Sequence, residues 1–212
     1  MSVKKSFFIT FEGPDGSGKS TIIKMIAQYL AENNLEYVLT REPGGSNIAE
    51  KIRNIILDPK NVMLSASTEA LLYAASRAQH FDEIIKPALD QNKIVLCDRF
   101  LDSSLVYQGI ARKLGVKEVL EINRFAIKDV LPDLTIFFEI DPLLGLQRIA
   151  QNKDREINRL DQEDIAFHKE VYHGYHEIIK TNESRFMIVD ASQKIDEVFR
   201  DTLACIKERY YG

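Results

Sequence analysis

One stretch of eight residues decides the fold of this chain. It reads, in order, Gly13, Pro14, Asp15, Gly16, Ser17, Gly18, Lys19 and Ser20. Glycines at this G-x-x-x-x-G-K-S spacing let backbone N–H groups turn toward anionic oxygens, while Lys19 can reach the terminal phosphates and the Ser20 hydroxyl can hold Mg²⁺. The stretch is therefore predicted to bind the phosphates of a nucleoside triphosphate.

The residues on either side of this loop support that interpretation. Phe7 to Phe11 is an apolar run typical of a buried strand, and Thr21 to Leu30 carries apolar residues at helical spacing. A helix that starts at the loop would add its partial positive charge beneath the phosphates. A chance match in an ordinary glycine turn is the alternative, and the strand–loop–helix context makes it the weaker one.

Further apolar runs alternate with helical patterns along the whole chain. The strand candidates are Phe7–Phe11, Tyr37–Thr40, Ile94–Asp98, Leu134–Ile140 and Phe186–Asp190. This alternation predicts a single α/β domain over residues 1–212, with a five-stranded parallel sheet covered by helices on both faces. The stretch from Thr68 to Leu89 is predicted to be one long helix that Pro87 closes. Ligands are expected beyond the carboxyl ends of the strands.

Composition narrows the class of protein further. The formal net charge is −4, which gives no support to binding of nucleic acid or of an anionic membrane. Cys97 lies in an apolar strand pattern and Cys205 in a helical one, so both are expected to be free thiols in a reducing compartment. The N-terminal residues lead into the first strand without a signal-peptide pattern, and we expect a cytoplasmic protein.

A highly polar segment, residues 151–160, lies between two helical patterns. We interpret it as a short mobile lid; a solvated connector is the alternative that composition alone would favour. Arg155 and Arg159 are four residues apart in this segment and would project from one face if it is helical.

Three more motifs point to a known family. Residues 96–108 read LCDRFLDSSLVYQ, residues 41–45 read REPGG, and residues 158–163 read NRLDQE. Together with the glycine loop they resemble, in order and along nearly the whole chain, the thymidylate kinases of bacterial type. The resemblance implies a P-loop NTPase fold of the nucleoside monophosphate kinase type, with ATP-dependent phosphorylation of dTMP to dTDP, a magnesium ion and a homodimer.

The resemblance also implies an acceptor site. Its residues would be Asp15, Glu42, Pro43, Arg53, Tyr73, Arg77, Arg99, Ser104, Tyr107 and Gln108. Arg99 would hold the 5′-phosphate of dTMP, with Arg53 and Arg77 nearby. Tyr73 would stack on thymine, Arg77 would meet a base oxygen, and Ser104 and Gln108 would lie against the base edge. Asp15 would accept a hydrogen bond from the sugar 3′-hydroxyl.

On the donor side, the resemblance implies that the glycine loop holds ATP. Ser20 and Asp98 would hold the metal ion, although Asp98 could also be an ordinary strand-end residue. The catalytic residues would be Lys19, Asp98, Arg99, Arg155 and Arg159. No arginine occurs from Pro14 to Ser17, so the lid would have to supply that charge. Arg148 would pack on adenine, near Ala191 to Gln193; a solvated helix position is its alternative.

Other functions remain open from the sequence. A deoxynucleoside kinase, an adenylate kinase or another monophosphate kinase would share the glycine loop, and a GTP-binding switch protein would share it too. The switch usually reads guanine with Asn-Lys-x-Asp, and Asn152-Lys153-Asp154 is one position too short. His173 and His176 are interpreted as a surface pair, since no third metal ligand is evident.

Overall fold

The computed structural model of the chain describes residues 6–151 and 158–211. Five parallel strands form one sheet in the order β2-β3-β1-β4-β5. Their bounds are β1 Phe7–Glu12, β2 Tyr37–Arg41, β3 Ile94–Asp98, β4 Leu134–Glu139 and β5 Phe186–Asp190. The predicted parallel five-stranded α/β fold is confirmed.

Helices connect the strands and cover the sheet. Among the described residues, the α-helices are α1 Lys19–Glu32, α2 Asn47–Leu57, α3 Ala66–His80, α4 Lys86–Asp90, α5 Leu101–Ser104, α6 Val116–Ile127, α7 Pro142–Gln151, α8 Ile165–Lys180 and α9 Ile195–Tyr211. Two π-helical segments, Phe81–Ile85 and Leu105–Ala111, continue α3 and α5, and short 3₁₀ turns occupy Arg159–Gln162 and Glu183–Arg185.

The long helix predicted from Thr68 to Leu89 is present, but it is not uniform. It runs as α3, then as the π-helical segment Phe81–Ile85, then as α4, which ends at Asp90. Pro87 lies in the first turn of α4 and has no N–H to donate to the preceding turn. The wider π turn just before Pro87 accommodates this loss, so the proline marks a change of helix type and not the end of the helix.

The two faces of the sheet have separate apolar cores. Phe8, Val95 and Phe137 pack with α6 and α8 on one face. Ile9 and Leu96, their neighbours along the strands, pack with α1 and α9 on the other. Because side chains alternate along a strand, a central strand covered on both faces buries the side chains of both, and all six residues of β1 are buried.

This topology places the glycine loop at the centre of the molecule. Strand β1 lies in the middle of the sheet, with β2 and β3 to one side of it and β4 and β5 to the other. The strand order therefore reverses direction at β1, and the glycine loop follows the carboxyl end of this strand. Ligands of open α/β sheets bind at such a switch point. Cys97 is buried in β3, Cys205 is half-buried, and both are free thiols. Within residues 6–151 and 158–211, no helix combines the length and the apolar character that crossing a bilayer requires.

Candidate functional site

The glycine loop runs tightly between β1 and α1. Gly16 has φ +78°, and a Cβ at this residue would lie 2.1 Å from the carbonyl oxygen of Gly145 in α7. Gly18, with φ +84°, is the residue before the first turn of α1. Both positions require the left-handed backbone that glycine adopts without strain. The first N–H groups of a helix have no partner within it, so the start of α1 beside the loop is a place where an anion can bind.

Lys19 lies folded over the same loop. Its ammonium Nζ donates to the carbonyl oxygens of Gly13 and Pro14, both at 2.9 Å, and to Ser17 Oγ at 3.2 Å. Burial and the nearby positive charge of Arg99 lower the pKa of Lys19 to about 8. An anionic ligand would restore full protonation, because opposite charge favours the ammonium form. The loop thus holds a cation that gains from the arrival of phosphate.

A hydroxyl and a carboxylate meet at the mouth of the loop. Ser20 Oγ donates to Asp98 Oδ2 at 2.7 Å, across the carboxyl ends of β1 and β3. Both are hard oxygen donors, which suit Mg²⁺, and Mg²⁺ commonly takes only one or two protein ligands beside water and phosphate oxygens. In the described part of the chain, no group of three or more His, Cys, Asp and Glu side chains could hold a metal by itself.

A second cleft adjoins the loop on its α3 side. It has about 140 Å³ of free volume, close to the roughly 150 Å³ that accepts one benzene ring. It is lined by Asp15, Glu42, Pro43, Arg53, Leu57, Tyr73, Arg77, Arg99, Phe100, Ser103, Ser104, Tyr107, Gln108, Asn158 and Leu160. All ten residues predicted for the acceptor site lie in this lining.

Arg99 lies on the boundary between the cleft and the glycine loop. Its Nη2 pairs with Asp15 Oδ1 at 2.5 Å, and its Nη1 donates to Ser103 Oγ and Tyr175 OH at 3.1 Å each. Burial alone would raise the pKa of Asp15, but Arg99 and Lys19 hold it below its usual value. The backbone of Arg99 has φ +66°, a strained conformation for a non-glycine residue. That conformation lets its side chain leave β3 toward both ligand sites.

Arg77 lies at the far end of the cleft and is almost fully buried. Its Nε donates to Glu42 Oε2 at 2.7 Å, and its Nη2 to the Phe100 carbonyl at 2.9 Å. Its Nη1 donates to Ser104 Oγ at 3.0 Å and also to Asn123 Oδ1. A guanidinium has five N–H donors. These contacts use four of them, and the fifth has no partner among the described residues.

Sequence analysis missed a buried carboxylate beneath the boundary. Glu12 accepts from Phe100 N at 2.8 Å, Ser103 Oγ at 2.5 Å and Tyr175 OH at 2.9 Å. Burial and the nearby Asp102 raise the pKa of Glu12 to about 7. Ser103 and Tyr175 are also the partners of Arg99. A charged residue at the end of a strand that carries no other charge was the signal that could have identified it.

Another polar group in the cleft also lacks a partner among the described residues. The hydroxyl of Tyr107 is buried and makes no hydrogen bond to any described residue. The guanidinium of Arg99 lies 5.3 Å from the centre of the Tyr107 ring. Buried hydroxyls nearly always form hydrogen bonds, so this atom marks a place where a ligand group would bind.

The structure places Arg159 differently from the expected orientation toward a transferred phosphoryl group. Its Nη2 pairs with the buried carboxylate of Glu69, and its Nε donates to the Ile56 carbonyl at 3.1 Å. A buried carboxylate needs such a partner, which explains the position. Arg155, the other predicted lid arginine, lies outside the described residues, as does most of the predicted lid.

A shallow groove continues from the glycine loop toward α9. Arg148 donates to the carbonyl oxygens of Ala191 at 2.8 Å and Ser192 at 3.3 Å. It lines the groove together with Ser17, Gly18, Thr21, Ile22, Ala191, Gln193, Ile195 and Val198. The structure therefore brings Arg148 and the segment after β5 together beside the glycine loop, as expected for the two sides of a base site.

The two histidines of α8 have different surroundings. His176 Nε2 lies 3.1 Å from Glu139 Oε1 and packs against Tyr172, while His173 is exposed. His173 thus lies at the surface as predicted, whereas His176 is partly buried.

The chain matches known proteins over nearly its whole length. The family model for thymidylate kinase matches residues 11–202. A thymidylate kinase of Clostridium novyi is 52% identical over 205 residues, covering 97% of this chain and all of that protein. One of Finegoldia magna is 55% identical over 202 residues, covering 95% and 98%. The crystal structure of thymidylate kinase from Ehrlichia chaffeensis superimposes with a TM-score of 0.75 at 35% identity, covering 94% of this chain and 98% of that one.

Proposed function

The chain belongs to the thymidylate kinase family, and we propose that it transfers the terminal phosphoryl group of ATP to dTMP, giving dTDP and ADP. The main support for the proposal is that the acceptor cleft and the glycine loop share two residues. Asp15 and Arg99 line both the acceptor cleft and the mouth of the glycine loop. A donor and an acceptor bound in these sites would meet at this pair.

The chemistry requires positive charge and alignment more than a general base. The acceptor oxygen belongs to a phosphate that is largely dianionic near neutral pH, because its second pKa is about 6. Two polyanions repel each other, so cations must offset that repulsion and hold the reacting atoms in line. Lys19 on the donor side and Arg99 on the acceptor side supply such charge, and Arg53 in the cleft lining adds to it.

The residues at the loop mouth fit a magnesium ion. Ser20 and Asp98 would hold it, and when bound it would neutralise charge on the phosphate oxygens. The Tyr107 hydroxyl and the fifth N–H donor of Arg77 are available for the acceptor. Tyr73 lies in the cleft wall, four residues before Arg77 on α3, so the two share a helix face. Tyr73 could therefore stack on the same base that Arg77 contacts.

Catalytic roles for Arg155 and Arg159 stay predictions. A lid that brought an arginine to the transferring group could contribute about 10³–10⁵-fold in rate, and its closure would exclude water. Arg159 is anchored to Glu69 in this structure, so it would have to leave that partner to reach the phosphates.

We also propose a homodimer in the cytoplasm. Exposed apolar side chains occur on three neighbouring helices: Ile48 and Ile55 on α2, Leu71 on α3 and Phe125 on α6. Helix α3 packs against both of the others, so these exposed side chains lie on adjacent helices. Exposed apolar side chains on adjacent helices support association with a second copy.

An acceptor screen tests the proposed reaction. Purified protein with ATP and Mg²⁺ is offered dTMP, dUMP, AMP or thymidine, and ADP release and the diphosphate product are measured. We expect dTMP to give the highest kcat/KM. Thymidine as the better acceptor would indicate a deoxynucleoside kinase, and AMP would indicate an adenylate kinase. Replacing ATP with GTP tests the donor in the same assay.

A further inference from the structure

Glu69 is a buried carboxylate at the back of the acceptor cleft that the proposed function has not used. It lies on α3 and is 1% exposed. Three side chains converge on it: Gln108 Nε2 at 2.8 Å and Arg112 Nε at 3.5 Å on Oε1, and Arg159 Nη2 on Oε2. Gln108 lines the cleft, whereas Glu69 stands one layer behind it.

We propose that Glu69 is a specificity-positioning residue: it fixes which end of the Gln108 amide faces the cleft, and thereby selects thymine over cytosine. The inference rests on the proposed function, in which the cleft holds the pyrimidine of a deoxynucleoside monophosphate. Glu69 itself need not touch the substrate.

The first step is the polarity of the hydrogen bond. An ionised carboxylate only accepts hydrogen bonds, so an amide beside it must offer its nitrogen. Arg112 and Arg159 also donate to Glu69, so both of its oxygens act as acceptors. The Gln108 amide nitrogen therefore faces Glu69. Its carbonyl oxygen, which has no donor among the described residues, remains as an acceptor.

The second step is the pattern that the cleft offers. Arg77 has one unused N–H donor, and Gln108 has one unused acceptor, and both residues line the cleft. Thymine presents a carbonyl oxygen at position 4 beside an N–H at position 3, which complements a donor beside an acceptor. Cytosine presents an amino group beside a bare ring nitrogen, which is the opposite pattern. A mismatch leaves buried polar groups unpaired, which is costly.

The third step concerns what a neutral residue 69 would do. In Glu69→Gln, Arg159 still requires an oxygen where Oε2 stood, so the new amide nitrogen must occupy the position of Oε1. That nitrogen can only donate, and it faces Gln108. The Gln108 amide would then turn over and present its nitrogen to the cleft.

The experiment measures kcat/KM for dTMP and for dCMP, together with the binding of each monophosphate by calorimetry. Glu69→Gln is expected to lower the dTMP-to-dCMP ratio by about 10- to 100-fold. The double variant Glu69→Gln with Gln108→Glu exchanges amide and carboxylate, so residue 108 again offers the base an acceptor. It is expected to recover most of the preference for dTMP.

Arg112→Met is the matched control, because it removes a partner of Glu69 without touching Gln108. Its dTMP-to-dCMP ratio should equal that of the wild type. If Glu69 served only to hold the two arginines, the double variant would stay as unselective as Glu69→Gln, and that result would overturn the inference. If Glu69→Gln fails to fold, the charge-conserving double variant is measured alone. If that variant shows no preference for dTMP over dCMP, the proposal is wrong.

The two levels of proposal fail in different ways. Wild-type protein that makes no dTDP overturns the proposed function and this inference with it. Wild-type activity on dTMP with an unchanged ratio in Glu69→Gln overturns the inference alone.

Discussion

The donor loop and the acceptor cleft are neighbours, yet they are built by different means. The loop is made mainly of backbone, with glycines at positive φ, helix N–H groups and one lysine that rests on carbonyl oxygens. The cleft is built from charged side chains in buried pairs: Arg77 pairs with Glu42 in its lining, and Arg159 pairs with Glu69 directly behind it. Backbone can bind the phosphates that all nucleotides share, whereas oriented side chains can distinguish one base from another.

The cleft's pairs also carry an energetic consequence. A buried carboxylate or guanidinium that lost its partner would be an uncompensated charge, which costs several kcal/mol. The polar groups of the cleft are consequently held in one arrangement before any ligand binds. In the loop, Lys19 gives up only hydrogen bonds to neutral groups when phosphate arrives. The cleft is therefore rigid and selective, and the loop is adaptable.

The most severe test of this contrast removes the loop's one side-chain cation. Lys19→Met keeps most of the side chain's volume and is expected to lower kcat by about 10²–10³-fold, because charge stabilisation of the transferring group is lost. Binding of dTMP, measured by calorimetry without ATP, should stay within a few-fold of wild type. A comparable loss of dTMP affinity would mean that the charge of Lys19 also contributes to binding in the cleft. The loop and the cleft would then not be separate in function.

A second test concerns the buried charge at the boundary. The pKa of Glu12 is raised to about 7 in the folded protein from an ordinary value of 4.5. At a pH between 4.5 and about 7, the Glu12 carboxyl group is therefore ionised in the unfolded chain and still protonated in the folded protein. The stability contributed by this carboxyl group is therefore present below about pH 4.5 and is lost as the pH rises through 7.

The variant Glu12→Gln cannot titrate at this position. The free energy of unfolding of the wild type, relative to Glu12→Gln, should therefore fall by on the order of 2 kcal/mol between pH 5 and pH 8. Urea denaturation at several pH values measures it, with Glu36→Gln at an exposed position as the control for the loss of one carboxyl group. A difference for Glu12→Gln that rose with pH would show that the surrounding donors and Arg99 dominate over burial.

The sequence predicted the two regions unequally well. The strands were predicted to within one residue at each end, because short, mostly apolar runs mark them between longer helical patterns. Seven of the ten cleft residues could be named because they lie in short local motifs, whereas Arg53, Tyr73 and Arg77 were named from the family resemblance alone. Glu12 and Glu69 could not, because their roles depend on Tyr175 and Arg159, which are 163 and 90 residues away along the chain. The π-helical segments were missed as well.

The smallest expected effect lies at the outer end of the donor side. Arg148 is held by two backbone carbonyl oxygens beside the groove and is only half-buried, so a base packed on it would gain little. Arg148→Ala should raise KM for ATP by about 2- to 5-fold, the size of an exposed cation–π contact, with kcat and KM for dTMP unchanged. Initial rates at varied ATP measure it, and Arg200→Ala on the exposed face of α9 is the control. A change in kcat would instead place Arg148 in phosphate alignment, and the donor side would then depend on a fixed side chain as the cleft does.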